Sequence, residues 1–375
     1  MSEIIELFKN LYSSFYGKLH IKLNDIINNK NKSLLSYCIL KPISLIYEYG
    51  SISHKLIYDM NIFKKKSLDI YTISIGNITM GGTGKTPMVE YLSKIALENH
   101  SIPIIISRGY GNDEKYQLYS KFKSTNAVFA IGSSREWLAK KKISTFNNSE
   151  KKPTIAILDD GFQHWKLKRD IDIVMINAYD PWGNDNIVPL GRLRERPESA
   201  LRRANIIVIH NATGRINPSQ VDNIYNKIYN NVSKSVPVFE SKTAICGLYK
   251  CENNNFIQKN ITDIEQKDIL AISGIGCPVA FKHLLEDQLN IKSIVQKIFP
   301  DHYRFSEKDV NIIYEKNKVD KKIIVITEKD YYRCVNDKTQ HFIEKLNPYI
   351  IMTELKIIKP DNSGLLLRDL CKKRV

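Results

Sequence analysis

Cysteine is scarce and dispersed: six residues in 375, at Cys38, Cys246, Cys251, Cys277, Cys334 and Cys371, with no Cys-x-x-Cys pair. Such spacing suggests neither a zinc site nor a disulfide framework, and it fits a reducing cytosolic compartment. No stretch reaches the ~20 uninterrupted apolar residues of a membrane span. Glu3 and Glu6 precede any lysine, the wrong start for a secretory signal. Acidic residues are few, 40 against 56 basic ones, for a net charge of +16 and a pI near 9.3. That balance favours an anionic partner: nucleic acid, anionic lipid or a phosphorylated substrate. No aromatic-interleaved basic stripe and no helix-turn-helix signal is evident, so nucleic acid is not expected. No internal repeat stands out, and low complexity is confined to an Asn and Lys bias. Hydrophobic content of 43% is ordinary for a globular chain. The length suffices for two domains with sizeable cores.

What is present is organised around Thr79-Met80-Gly81-Gly82-Thr83-Gly84-Lys85-Thr86. An apolar run, residues 70–75, precedes it, and an amphipathic run, residues 87–98, follows. Strand, glycine-rich turn, Gly-Lys-Thr and helix together make a phosphate-binding P-loop. Glycines let backbone N–H groups curl around phosphate oxygens, and the helix start adds the positive end of its dipole. Lys85 can reach the outer phosphates, and the Thr86 hydroxyl can bind Mg²⁺. Pro87 fits the first helical turn, where its missing N–H costs nothing. Thr79 stands where the usual pattern opens with glycine.

Further runs at residues 103–107, 127–131, 154–158, 172–177 and 205–210 alternate with helical patterns, the rhythm of a doubly wound parallel sheet. Ligands in such sheets sit at the carboxyl ends of the strands. The residues to inspect are therefore those after each run. Arg108 with Gly109 is either a phosphate contact or a glycine-permitted turn. Asp159-Asp160 has the Walker-B arrangement, one carboxylate for Mg²⁺ and the other to orient or deprotonate a nucleophile. Gln163 and His164 extend that polar cluster. Arg192, Arg194 and Arg196 crowd one loop with Glu195, and arginine forks suit phosphate recognition.

Residues 1–67 carry ten lysines against five acids, with apolar residues at helical spacing over 4–15 and 34–47. Lys41-Pro42 interrupts the second run. Basic amphipathic helices of this kind dock on a membrane surface. The expected domains are this segment (1–67), a P-loop domain (68–240), a second, smaller α/β lobe (241–350) and a C-terminal segment (351–375). In the second lobe, residues 268–273 and 323–326 read as strands, and residues 279–289 as a helix.

Several motifs in order resemble the tetraacyldisaccharide 4'-kinases of lipid A biosynthesis. They are Ile73 to Pro87, Ser107-Arg108-Gly109-Tyr110-Gly111, Asp159 to His164, and Gly191-Arg192-Leu193-Arg194-Glu195. Gly274-Ile275-Gly276, Phe299-Pro300-Asp301-His302 and Thr327-Glu328-Lys329-Asp330 follow, and Lys41 to Tyr47 resembles the family's N-terminal segment. The resemblance spans about residues 35 to 335. It implies transfer of the γ-phosphoryl of ATP to the 4'-hydroxyl of a tetraacyl disaccharide 1-phosphate. Mg²⁺ is required, held by Thr86, Asp159 and Asp160. The fold implied is two α/β lobes with the site in the cleft, acting as a monomer docked on the cytoplasmic face of the inner membrane. Lys85, Asp159, Asp160 and His302 are then the catalytic set. Residues Thr79, Met80, Gly81, Gly82, Thr83, Gly84, Lys85 and Thr86 bind ATP, and Arg108, Gln163, His164, Arg192, Arg194 and Glu195 meet the substrate or its phosphates.

The family carries Gly-Asp-Glu before a helix downstream of the arginine turn, its aspartate acting as base beside the histidine that His302 matches. Aligned on Gly132, that motif reads Ser133-Ser134 here. Three outcomes stay open: Asp159 or Asp160 as base, Glu136 reaching in, or a weakened enzyme. A second resemblance is to membrane-associated partitioning ATPases, which share Gly-Gly-Thr-Gly-Lys-Thr. Their signature lysine precedes the two glycines, where this chain has Met80.

Overall fold

The computed structural model describes residues 34–109, 112–146, 152–233, 235–252, 255–336, 339–360 and 364–371; the periodic run at 4–15 lies outside them. The first half is built on β1 (Tyr71–Asn77), β2 (Pro103–Ser107), β3 (Val128–Ile131), β4 (Ile155–Asp159), β5 (Ile171–Asn177) and β6 (Ile206–His210). These strands are parallel in the order β6-β5-β1-β4-β2-β3. They read as near-continuous Ile/Val/Leu runs because both faces are covered. Alternate residues sort cleanly. Ile155, Ile157, Ile173, Met175, Ile206 and Val208 pack under α2 (Lys85–Glu98) and α3 (Asn112–Phe122). Their neighbours Ala156, Leu158, Val174, Ile176, Ile207 and Ile209 pack under α4 (Arg135–Ser144), α5 (Pro197–Leu201) and α6 (Pro218–Tyr229).

A long strand, β7 (Val238–Glu252), runs across residue 240, where the sequence placed the boundary between the P-loop domain and the second lobe. Its start is parallel to β6, with Ser241 opposite His210. It then runs on past the end of β6, pairing antiparallel with β12 (Tyr349–Lys359) and β8 (Asn255–Lys259). Beyond it lie β9 (Asp268–Ser273), α7 (Pro278–Gln288), β10 (Ser293–Ile298), α8 (Glu307–Asp320), β11 (Ile323–Thr327), α9 (Glu328–Asn336), α10 (His341–Leu346) and, after β12, α11 (Gly364–Leu370). Strands β9, β10 and β11 are parallel to β12, completing one 12-stranded sheet. Because β12 opposes β7, the second-half strands point back toward the first half. The carboxyl ends of the two halves therefore face each other, and the loops from both meet between them.

Helix α1 (Leu34–Asp59) continues through Pro42, where the sequence pattern suggested an interruption. The Ser44 hydroxyl lies 3.0 Å from the carbonyls of both Leu40 and Ile187, one of which takes its single proton, and it accepts from Leu190 N at 3.0 Å. These contacts pin α1 to the arginine loop. Replacing Ile157, fully buried between β1 and β2, by alanine should cost about 2–5 kcal/mol. The check is urea unfolding, with a lowered midpoint and an unchanged slope.

Candidate active site

The P-loop leaves β1 with its carbonyls turned aside. Asn77 Nδ2 donates to Thr79 O (2.6 Å), Arg192 to Met80 O (2.8 Å) and Asn177 Nδ2 to Gly82 O (3.0 Å). Among the described residues, the N–H groups of Gly82, Thr83 and Gly84 enter no backbone hydrogen bond. A loop whose carbonyls are served by side chains presents its amides inward, the property that binds anions. Asn77 also braces Thr83 Oγ1 at 2.8 Å. Gly84 has φ +84°, and a Cβ there would lie 2.6 Å from the buried ring of His210, so only glycine fits. Thr79 pairs with Leu193 as an isolated bridge and takes no positive φ, so this position needs no glycine. Lys85 and Thr86 open α2, Thr86 buried.

At the end of β4 the two aspartates live in different surroundings. Asp159 is buried, and among the described residues its Oδ1 has no hydrogen-bond partner. Burial first, then repulsion from Glu114 and Asp160, pushes its carboxyl up to about 7 against the opposing pull of Lys85 and Arg135. Asp160 takes a left-handed φ of 49°. Burial opposes its ionisation, but Arg194 and Lys85 prevail and hold it well below the usual carboxylate range. Arg194 donates to Asp160 Oδ1 at 2.7 Å, and Lys85 Nζ lies 3.7 Å from the same oxygen. Arg135 donates to the carbonyls of Asp159 (3.1 Å) and Asp160 (3.0 Å), which fixes the turn between them.

The arginine turn lies beside the loop. Arg192 bridges Asp180 (2.9 Å) and Met80 O, close over Gly81. Gln163 donates to Asn77 O (2.8 Å) and to Glu195 Oε1 (2.9 Å), and Arg203 closes on Glu195 at 2.8 Å. Lys85, Asp160, Gln163, Arg192, Arg194 and Glu195 are therefore gathered at the loop. His164 belongs elsewhere: its Nε2 lies 3.7 Å from Glu136, whose carboxylate is 4.0 Å from Lys66 Nζ. Burial, then the charges of Arg135, Arg169, Lys166 and Arg108, pushes His164 down to about 3. Glu136 thus faces His164 and Lys66. Arg108 stands at the end of β2, where its charge reaches His164 and Arg135.

From the facing half, the turn after β9 rests on the P-loop: a Cβ on Gly276 would lie 2.2 Å from Gly82 N. His302 follows β10, half exposed, with a left-handed φ of 59° and its backbone N–H donating to Gly274 O at 3.2 Å. Its neighbour Asp301 lies 3.6 Å from Lys329, and Lys329 pairs with Glu114 at 3.1 Å. Glu114 in turn is near enough to Asp159 to raise its pKa. The first turn of α3, reading Asn112-Asp113-Glu114 after Gly111, is thereby tied to the His302 loop. Ser133 and Ser134 instead follow β3, with Ser134 as N-cap of α4.

Sequence reasoning passed over Asn77, Arg135, Asn177, His210, Glu114 and Lys329. Asn77, Asn177 and His210 close apolar strands, a signal that was available; Arg135 carries none. Among the described residues no cluster of three His, Cys, Asp or Glu side chains forms a metal cage.

The chain matches the family model described as tetraacyldisaccharide-1-P 4'-kinase (LpxK) over residues 36–371. It belongs to that family. The probable mitochondrial tetraacyldisaccharide 4'-kinase of Arabidopsis thaliana is 31% identical over 345 residues, covering 84% of this chain and 85% of its own. The tetraacyldisaccharide 4'-kinase of Halothermothrix orenii is 30% identical over 379 residues, covering 91% and 95%. Among solved structures, the "apo" form LpxK from Aquifex aeolicus in complex with ATP superposes with a TM-score of 0.58 at 23% identity, covering 88% of this chain and 96% of that one. The fold is thus that of this kinase family, P-loop NTPase-like in its first half.

Burial pushes His210, behind the P-loop, down to about 4. Its folded-state pKa lies below the unfolded value of 6.5, so its contribution to stability is present above pH 6.5 and lost as pH falls toward 4. Up to about 3 kcal/mol is at stake. Urea titrations at stepped pH should show this slope, and His210→Gln should flatten it.

Proposed function

We propose that this site transfers the γ-phosphoryl group of ATP to the 4'-hydroxyl of a tetraacyldisaccharide 1-phosphate. The observation that carries the proposal is the convergence of Lys85 and Arg194 on Asp160 beside inward-turned loop amides, in a chain of the 4'-kinase family. The triphosphate lies on residues 79–86, with Lys85 neutralising the outer phosphates. Arg192 and Arg194 flank the charge that grows in transfer, where positioning and electrostatics supply most of the catalysis. The switch-ATPase alternative lacks a signature lysine, since Met80 occupies that place.

Mg²⁺ fits the residues present. Asp159 offers a buried carboxylate oxygen without a partner among the described residues, and Thr86 and Asp160 stand at the same mouth. Asp159, Asp160 and Thr86 would hold it, and it would offset the charge of the phosphates, while Arg135 keeps the aspartate turn in place.

For the base, we propose Asp159 or Asp160, the carboxylates beside the loop, in place of the acid missing at Ser133-Ser134, since Glu136 faces His164 and Lys66. Closing of the two halves, proposed as lobes of a cleft, then assembles the site and excludes water.

Helix α1 and the turn after it expose Ile46 (70%), Tyr49 (68%), Leu56, Met60 (71%) and Ile62 (64%), while Leu40, Ser44 and Tyr58 face the protein. No helix among the described residues is long and apolar enough to cross a membrane. An exposed apolar stripe in a lysine-rich segment supports peripheral docking on the cytoplasmic face of the inner membrane.

Lys85→Ala should abolish phosphorylation of the lipid in detergent. Asp160→Asn should lower kcat about 10²–10⁴-fold, whereas Glu136→Gln should leave kcat within a few-fold. Equal losses for the two would remove Asp160 from the role. Ile46→Glu with Tyr49→Glu should reduce co-sedimentation with anionic vesicles and leave the folded fraction unaltered.

A further inference from the structure

Away from the loop, a second charged cluster is buried where the halves meet. Helix α3 presents Glu114, Gln117 and Lys121 along one stripe, at i, i+3 and i+7. The first turn of α9 meets that stripe. Lys329 pairs with Glu114 at 3.1 Å, while Gln117 donates to Glu328 Oε2 at 3.1 Å and Lys121 pairs with the same oxygen at 2.9 Å. Lys121 also bonds Glu90 Oε2 of α2 at 2.7 Å and Thr353 O of β12 at 3.3 Å. Its three N–H donors thus serve three different elements, two of them outside its own half of the sheet. Glu90 and Glu328 are 3% and 2% exposed. On the other side of α9, Asp330 accepts from Gly274 N at 3.0 Å, holding the turn that rests on the P-loop. One short helix therefore touches the nucleotide loop's neighbour, the His302 loop and α3.

A hydrophobic plug of the same volume would hold these helices together as well or better, since burying ions is costly. A shared ammonium does something a plug does not: it sets register, because its bonds lengthen when α3 slides. Lys121 is seven residues from Glu114, roughly 10 Å along a rigid helix, so a slide at one end appears at the other. We propose that Lys121 and Glu328 are positioning residues for phosphoryl transfer, fixing α3 so that its first turn meets the His302 loop. The proposal rests on the kinase reading above. Neither residue touches substrate; both act through Glu114 and Lys329, which reach Asp301 beside His302.

The test compares three variants with the wild-type chain. Glu328→Gln keeps the shape and an acceptor for Lys121 and should stay within about fivefold of wild-type kcat. Glu328→Ala should lower kcat about 10–100-fold, as expected for a misplacement near 1 Å, with KM for MgATP within twofold. Lys121→Met combined with Glu328→Leu replaces the pair by apolar groups and leaves Glu90 its partner Lys94 at 2.8 Å. This double variant should unfold no more easily than Glu328→Ala yet stay slow. Amide exchange in a peptide covering residues 112–122 should quicken in both slow variants and stay unchanged over residues 85–98. Recovery of kcat in the double variant, or a parallel fall of kcat and nucleotide affinity, overturns the proposal, because either marks a merely structural role. Unchanged exchange over 112–122 overturns it as well. That arm reads α3 directly, so it decides the proposal even if the wild-type chain fails to phosphorylate the lipid, a result that would sink the kinase reading instead.

Discussion

A loop binds phosphate through its amides only when its carbonyls have somewhere else to go, and the rest of this structure follows from that constraint. Each carbonyl of Thr79, Met80 and Gly82 is served by a side chain: Asn77 from the loop's own strand, Arg192 from the arginine turn, Asn177 from the end of β5. The three donors come from different segments, so the loop's conformation is a property of the assembled sheet. His210 fills the space a larger residue than Gly84 would need, and Gly276 approaches from the opposite half. The site is therefore preorganised from below and closed from above. Its fixed dipoles act with no reorganisation at the moment of transfer.

The facing of the two halves depends on β7 and β12. These strands are longer than a sheet of this kind requires, and the excess length carries the second half past the carboxyl ends of the first. An antiparallel ribbon reverses the strand direction, so two sets of strand-end loops converge, each supplying what the other lacks. The first half brings phosphate-binding amides and carboxylates, and the second brings Lys329, Asp301 and His302. Besides these two strands, the halves meet through the polar α3–α9 seam.

Local chemistry was legible in the sequence, and long-range pairing was not. The P-loop, Asp159-Asp160 and the strands around them announce themselves because each rests on a handful of adjacent residues. Strand β7 hides, since Ser241, Lys242, Thr243 and Gly247 break its apolar alternation, and its partner in β12 lies about a hundred residues away. His164 looked like part of the phosphate cluster from its position near Asp160, yet a turn of four residues is enough to point it at Glu136.

Adjacent carboxylates usually share a fate, and here the surroundings divide them. Asp160, flanked by Lys85 and Arg194, stays ionised throughout the neutral range, so it is a fixed charge against which the lysine is held until phosphate displaces it. Asp159 faces burial and two like charges, which leaves its carboxyl poised near neutrality. Pairs whose environments push their pKa values apart divide the work of a site.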